Sequence, residues 1–183
     1  MSDQVDTPGD TPGEPGEPGE PGDTRATPYH NNRIFLVVVD ATEEMSVALR
    51  FACRRASNTG GRVALLYVLE PADFQHWMAV EEKMREERRE EAERILNDLG
   101  ADVNTLTGRM ASLYLREGKA SDLIAELIEE EPDISILVLG AGTGKKGPGP
   151  LVSSLAGKLS GKFPVPITVV PGNLTLEQID SLT

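Results

Sequence analysis

The sequence predicts an α/β domain built on a doubly wound parallel sheet, and three observations predict it. Strand and helix signals alternate from Ile34 to Val170. The strand signals are unbroken apolar runs, as expected of strands buried on both faces. One run, Ile136-Leu137-Val138-Leu139, breaks directly into Gly140-Ala141-Gly142-Thr143-Gly144-Lys145-Lys146. Glycines at the carboxyl end of a buried strand let the backbone turn sharply and approach a ligand, at the place where open α/β sheets bind theirs. The two lysines point to an anionic ligand.

Each element has its own signal. Residues 1–30 carry Gly13-Glu14-Pro15, Gly16-Glu17-Pro18 and Gly19-Glu20-Pro21, a three-residue repeat. Three triplets are too few for a collagen helix. A segment of proline, glycine and acid buries no apolar area, so a disordered, solubilising tail is expected. Ile34 to Val39 reads as the first strand. Thr42 can cap the next helix, with Glu43 and Glu44 at its positive end. Met45, Ala48, Leu49, Ala52, Cys53 and Ala56 then share one face, and Asn58-Thr59-Gly60-Gly61 ends the helix. Val63 to Leu69 is the second strand. A long helix is expected over about 74–99, with Trp77, Val80, Met84, Ala92, Ile95 and Leu99 as its apolar stripe. Its charged run, Glu81 to Glu91, reads as a solvated face. Glu81–Arg85 and Glu90–Arg94 are i,i+4 pairs worth about 0.2–0.5 kcal/mol each.

Ser112 to Arg116 is a weaker third strand. Ser121 and Asp122 can open a helix that buries Leu123, Ile124, Leu127 and Ile128, and Pro132 stops it. Ile134 to Leu139 is the fourth strand. Val152, Leu155, Ala156 and Leu159 suggest a short helix after the glycine loop. Pro166 to Val170 is the last strand, and Pro164, Pro166 and Pro171 around it favour a sheet edge. Right-handed crossovers then give a single five-stranded parallel sheet, a flavodoxin-sized domain over residues 31–172. Residues 173–183 form a C-terminal extension. There Thr175 can cap a turn in which Leu176 and Ile179 share a face, docking on the domain or on a partner copy.

Composition narrows the function. The 183 residues carry a formal charge of -12 and a pI of about 4.6. The first 28 residues hold seven acids and one arginine, half of that charge. Such a chain is poorly suited to nonspecific nucleic-acid binding or to anionic membranes. Its apolar runs are far shorter than the roughly 20 residues of a membrane span. No secretory signal is visible, and Cys53 is the one cysteine, so a cytoplasmic protein without intramolecular disulfides is expected.

Catalytic groups are sparse. His30 and His76 are the only histidines, 46 positions apart, and neither follows a strand, which argues against a zinc site or a Ser-His-Asp triad. Glu70 follows the second strand without an evident partner. Cys53 lies on a core helix face and reads as packing. No catalytic residue and no protein-held metal is expected.

The binding constellation is better marked. Asp40 ends the first strand, where its carboxylate can accept hydrogen bonds from a base or ribose, or close the turn. The Gly140–Pro150 loop matches neither the Walker A pattern nor Gly-x-Gly-x-x-Gly. Ser153 and Ser154, opening the following helix, offer hydroxyls and free N–H groups to an anion.

Three stretches resemble the universal stress protein family. They are Val37-Val38-Val39-Asp40-Ala41-Thr42-Glu43-Glu44, Val63 to Pro71, and Leu137 to Ala156 closed by Pro164 to Pro171. The resemblance implies strand order 3-2-1-4-5 and homodimers that pair the last strand. It also implies ATP binding, with Mg²⁺, through Gly-x-x-Gly-(nine residues)-Gly-Ser/Thr. In that pattern Asp40 and Val68 border the adenosine. Gly140 matches the first glycine, Thr143 and Ser153 stand where the other two belong, and Ser154 is the final hydroxyl residue. Gly142 and Gly144 flank the replaced position, and Ala41 and Thr42 continue the Asp40 turn. The expected role is a stress-response sensor or regulator with slow hydrolysis at most. The alternatives are a dimeric interaction module with a degenerate pocket, and a small enzyme acting on a phosphorylated substrate.

Overall fold

The computed structural model describes residues 33–40, 42–71, 78–158, 161 and 163–183. The expected tail, His30, Ala41, His76, Trp77 and Leu159 lie outside these residues. Five strands are present: β1 (Ile34–Val39), β2 (Arg62–Leu69), β3 (Ser112–Glu117), β4 (Ile134–Ala141) and β5 (Ile167–Pro171). They form one parallel sheet in the order β3-β2-β1-β4-β5, so β5 lies at an edge as its prolines suggested. β1 is central and buried at all six positions.

The helices cover both faces. On one, Phe35, Val37 and Val39 of β1 meet α1 (Glu43–Thr59) and α2 (Met78–Thr107). On the other, Ile34, Leu36 and Val38 meet α3 (Ala120–Glu130) and the segment after the glycine loop. Period two in the strand thus feeds two cores from one apolar run. α1 buries Ala48, Leu49, Ala52, Cys53 and Ala56, and its small side chains let it lie close to the sheet. It ends at Gly60, whose φ of 70° is left-handed, and the Gly61 N–H donates to the Ala56 carbonyl at 2.8 Å.

α2 departs from the sequence expectation. It runs through Gly100 to Thr107, and its buried residues include Ala92, Leu96 and Val103, while Met84 is 43% exposed. Gly100 does not stop it because the glycine serves packing: a Cβ there would lie 3.3 Å from Leu113 Cδ2 of β3. The chain turns instead at Gly108, φ 70°, whose N–H donates to the Asn104 carbonyl. Arg94 pairs with Glu91 at 2.5 Å and Asp98 at 3.1 Å, in place of the expected Glu90.

Two smaller differences bear on the site. The N-cap of α3 is Lys119, two residues before the serine expected to open it. The short helix after the loop is α4 (Pro150–Val152), which widens into a π-helical stretch, Ser153–Lys158, burying Val152 and Leu155.

The extension forms α5 (Leu176–Leu182) with a capping box between Thr175 and Gln178. It docks on its own domain. Ile179 is buried, and Asp180 bridges Arg54 at 2.9 Å and Arg50 at 3.5 Å on α1. Leu176, expected on the same face, is 59% exposed.

Candidate functional site

From β1 the chain order turns towards β2 on one side and β4 on the other. The helices that follow these strands leave on opposite faces, and a crevice opens beyond their carboxyl ends. Two adjoining clefts lie there. The smaller, about 190 Å³, is bounded by Asp40, Thr42 and Glu44 on one side and by Gly140, Gly142 and the Gly147–Pro150 turn on the other. The larger, about 520 Å³, takes in Asp40, Val68, Glu70, Lys119, Leu151 and Ser154. Asp40, Pro150 and Leu151 line both.

Asp40 is held in place by its own turn. Its Oδ1 accepts from the Thr42 N–H at 3.0 Å and from the Thr42 hydroxyl at 2.6 Å. The carboxylate remains exposed, with Oδ2 outside these two bonds. This arrangement corrects one expectation. Thr42 stands at the N-cap of α1, yet its side chain makes no cap hydrogen bond; its hydroxyl turns back and donates to Asp40.

Gly140 faces α1. A Cβ there would stand 2.6 Å from the Glu44 carbonyl oxygen and 3.0 Å from the Met45 nitrogen. The first turn of α1 therefore rests on β4 at a point that admits no side chain. Gly142 is similarly enclosed, by the Gly147 carbonyl at 2.8 Å and Glu44 Oε1 at 3.2 Å.

The other candidates separate. Val68 and Ser154 line the larger cleft. Thr143, Gly144, Lys145 and Lys146 are exposed and line neither cleft. Ser153 is exposed, and both its N–H and its hydroxyl donate to the Gly149 carbonyl, at 3.1 and 2.8 Å. Ala41 lies outside the described residues.

Sequence reading missed Glu44, Lys119 and the Gly147–Leu151 turn as lining residues. The turn carried a usable signal: Gly149, φ 95°, followed by Pro150 at the first helical position, is a helix-entry pair. Glu44 looked like a dipole-compensating residue only, and nothing local distinguishes that role from facing a cleft. At Lys119, Nζ donates to both Asp122 carboxylate oxygens, at 3.1 and 3.2 Å. That bond, with help from the Ser121 hydroxyl, holds the Asp122 carboxyl below its usual range. Behind the site, burial pushes the Cys53 thiol up to about 12, in keeping with a packing role on α1.

Among the described residues, no three His, Cys, Asp or Glu side chains gather as a metal site, and no helix is long and apolar enough to cross a membrane.

The universal stress protein family model matches residues 31–171. A comparison with curated proteins finds no match. Among solved structures, the chain is similar to a universal stress family protein from Burkholderia pseudomallei, at 23% identity and TM-score 0.62, covering 79% of this chain and 99% of that one. It is also similar to a family protein from Arabidopsis thaliana with AMP bound, at 13% identity and TM-score 0.54, covering 76% and 91%. A third is a universal stress protein in complex with cAMP, at 14% identity and TM-score 0.54, covering 75% and 96%. At these identities the likeness is one of fold.

Proposed function

The chain belongs to the universal stress protein family, and on that premise we propose that it binds an adenine nucleotide in the crevice beyond β1 and β4. It then acts as a nucleotide-responsive regulator in the stress response, with slow hydrolysis at most. The observation that carries this reading is the pair of adjoining clefts at the point where the strand order turns, with the exposed Asp40 carboxylate between them. Crystallised relatives holding AMP and cAMP support it.

In this reading the adenosine lies in the larger cleft. Val68 and Leu151 give the base apolar contact, and Asp40 accepts hydrogen bonds from ribose hydroxyls. The phosphate end points towards Gly140 and Gly142, to Thr42, and to Ser154. Mg²⁺ enters as the counter-ion of a nucleotide's phosphates. The nearby carboxylates and the Thr42 hydroxyl are oxygen groups of the kind that ion accepts. The protein works as a homodimer in the cytoplasm, pairing the β5 edges, where Val169 is exposed.

The test is to denature the purified protein, assay the supernatant for adenine nucleotide, and titrate the nucleotide-free chain with AMP, ADP and ATP by calorimetry. Binding at micromolar concentrations, weakened about tenfold or more by Asp40→Ala, is expected. A folded protein that releases no nucleotide and gives no heat with any of the three rejects the proposal. It would favour an interaction module instead, a reading that the carboxylates lining the clefts also suit.

A further inference from the structure

Resting on the nucleotide-binding reading above, we infer that this crevice selects nucleotides with few phosphates, taking a nucleoside monophosphate over a triphosphate, and that Glu44 sets the limit. A phosphate chain running from the larger cleft towards the glycine loop enters the smaller cleft. The charged side chains lining that cleft, among the described residues, are those of Asp40 and Glu44, both acidic.

Glu44 is built into this position. Its Cβ and Cγ occupy the space where Gly172 would carry a side chain, and its Oε1 lies 3.2 Å from where Gly142 would carry one. Two glycines from separate parts of the chain thus make room for one glutamate.

The usual partners of a polyphosphate are backbone N–H groups and cations. Several of them here are committed elsewhere. Pro148 and Pro150 have no N–H. The Gly147 N–H donates to the Gly144 carbonyl at 3.0 Å. Ser153 gives both its donors to Gly149. Lys145 and Lys146 line neither cleft. The larger cleft does better, because Ser154 and Lys119 line it, though Lys119 is shared with Asp122. One phosphate can be met there. A second and third would have to advance on the Glu44 carboxylate in a space of about 190 Å³.

The experiment is calorimetric titration of the full-length, nucleotide-free protein with AMP and with ATP, in EDTA at low salt, for wild type and Glu44→Gln. Glutamine keeps the shape that fills the Gly172 position and removes the charge. Wild type should bind AMP at least about fivefold more tightly than ATP, and Glu44→Gln should cut that ratio by about threefold or more. Raising NaCl from about 0.05 to about 0.5 M should narrow the wild-type ratio as well, because charge repulsion is screened. ATP binding as tightly as AMP to wild type overturns the inference and leaves the nucleotide reading standing. So does a ratio that neither salt nor a folded Glu44→Gln protein, with wild-type melting, alters. No binding of either nucleotide overturns both.

Discussion

At Gly140 a Cβ would stand 2.6 Å from the carbonyl oxygen of Glu44, whereas at Gly144 it would meet nothing within 4 Å. The two glycines are four residues apart in one loop-forming stretch and serve unlike ends. Gly140 belongs to the core, where helix α1 presses its first turn against the end of β4. Gly144 belongs to an exposed turn closed by the Gly147 N–H on its own carbonyl. Gly149, with φ at 95°, is a third kind: open in space but constrained in backbone. A cluster of glycines is therefore a mixture of packing, conformational and permissive positions, and only the packing position fixes where the site's walls stand.

The largest test of this contrast is Gly140→Ala. The added methyl meets backbone, which cannot swing away, so a loss of about 2–3 kcal/mol in urea unfolding is expected. Stability within about 0.5 kcal/mol of wild type would show that α1 is free to lift from β4.

The next effect concerns the same packed side, at Cys53. Its thiol titrates near 12 in the fold and near 9 in the unfolded chain. The raised value makes the neutral thiol's contribution complete below pH 9. It is lost as pH rises from 9 to 12, by up to about 1.4 kcal/mol per pH unit. Urea midpoints of wild type should fall more steeply than those of Cys53→Ala between pH 9 and 11. Parallel profiles would mean that the thiol is not buried against α1's neighbours.

Gly149→Ala should cost about 1–2 kcal/mol, from a backbone at φ 95° and ψ 158° that only glycine adopts readily. The loss should appear without any change in the packed half, which hydrogen exchange in α1 and β4 can check. Gly144→Ala is the smallest, within about 0.5 kcal/mol. A larger loss there would show that the open half is packed after all.

Much of the fold was legible. Unbroken runs such as Ile34–Val39 and the small-residue face Ala48–Ala56 depend on local chemistry, and both elements stand where their patterns put them. Errors arose where one residue type serves two purposes. The long helix, expected to end near residue 99, continues through Gly100, which makes room for Leu113 on a strand more than ten residues away. Thr42 has the chemistry of a cap, and its hydroxyl goes back to Asp40. Arg94 has acids on several sides and takes Glu91 and Asp98. Of the candidate site, Asp40, Thr42, Val68, Gly140, Gly142 and Ser154 line the clefts. Glu44 and Lys119 were unreadable as lining residues, because each is an ordinary helix-start residue until the sheet brings another element opposite.

The sequence by itself determined the order of strands and helices, the parallel sheet and its proline-flanked edge, and the family to which the chain belongs. Periodicity, turn residues and apolar runs act over a few positions and are written in the chain. Tertiary structure alone decided which glycines are packed, that α5 settles on α1 through Ile179 and Asp180, and that Glu44 lies in the space left by Gly142 and Gly172. Those outcomes depend on distances between segments far apart in sequence, and such distances exist only once the sheet has brought the segments together.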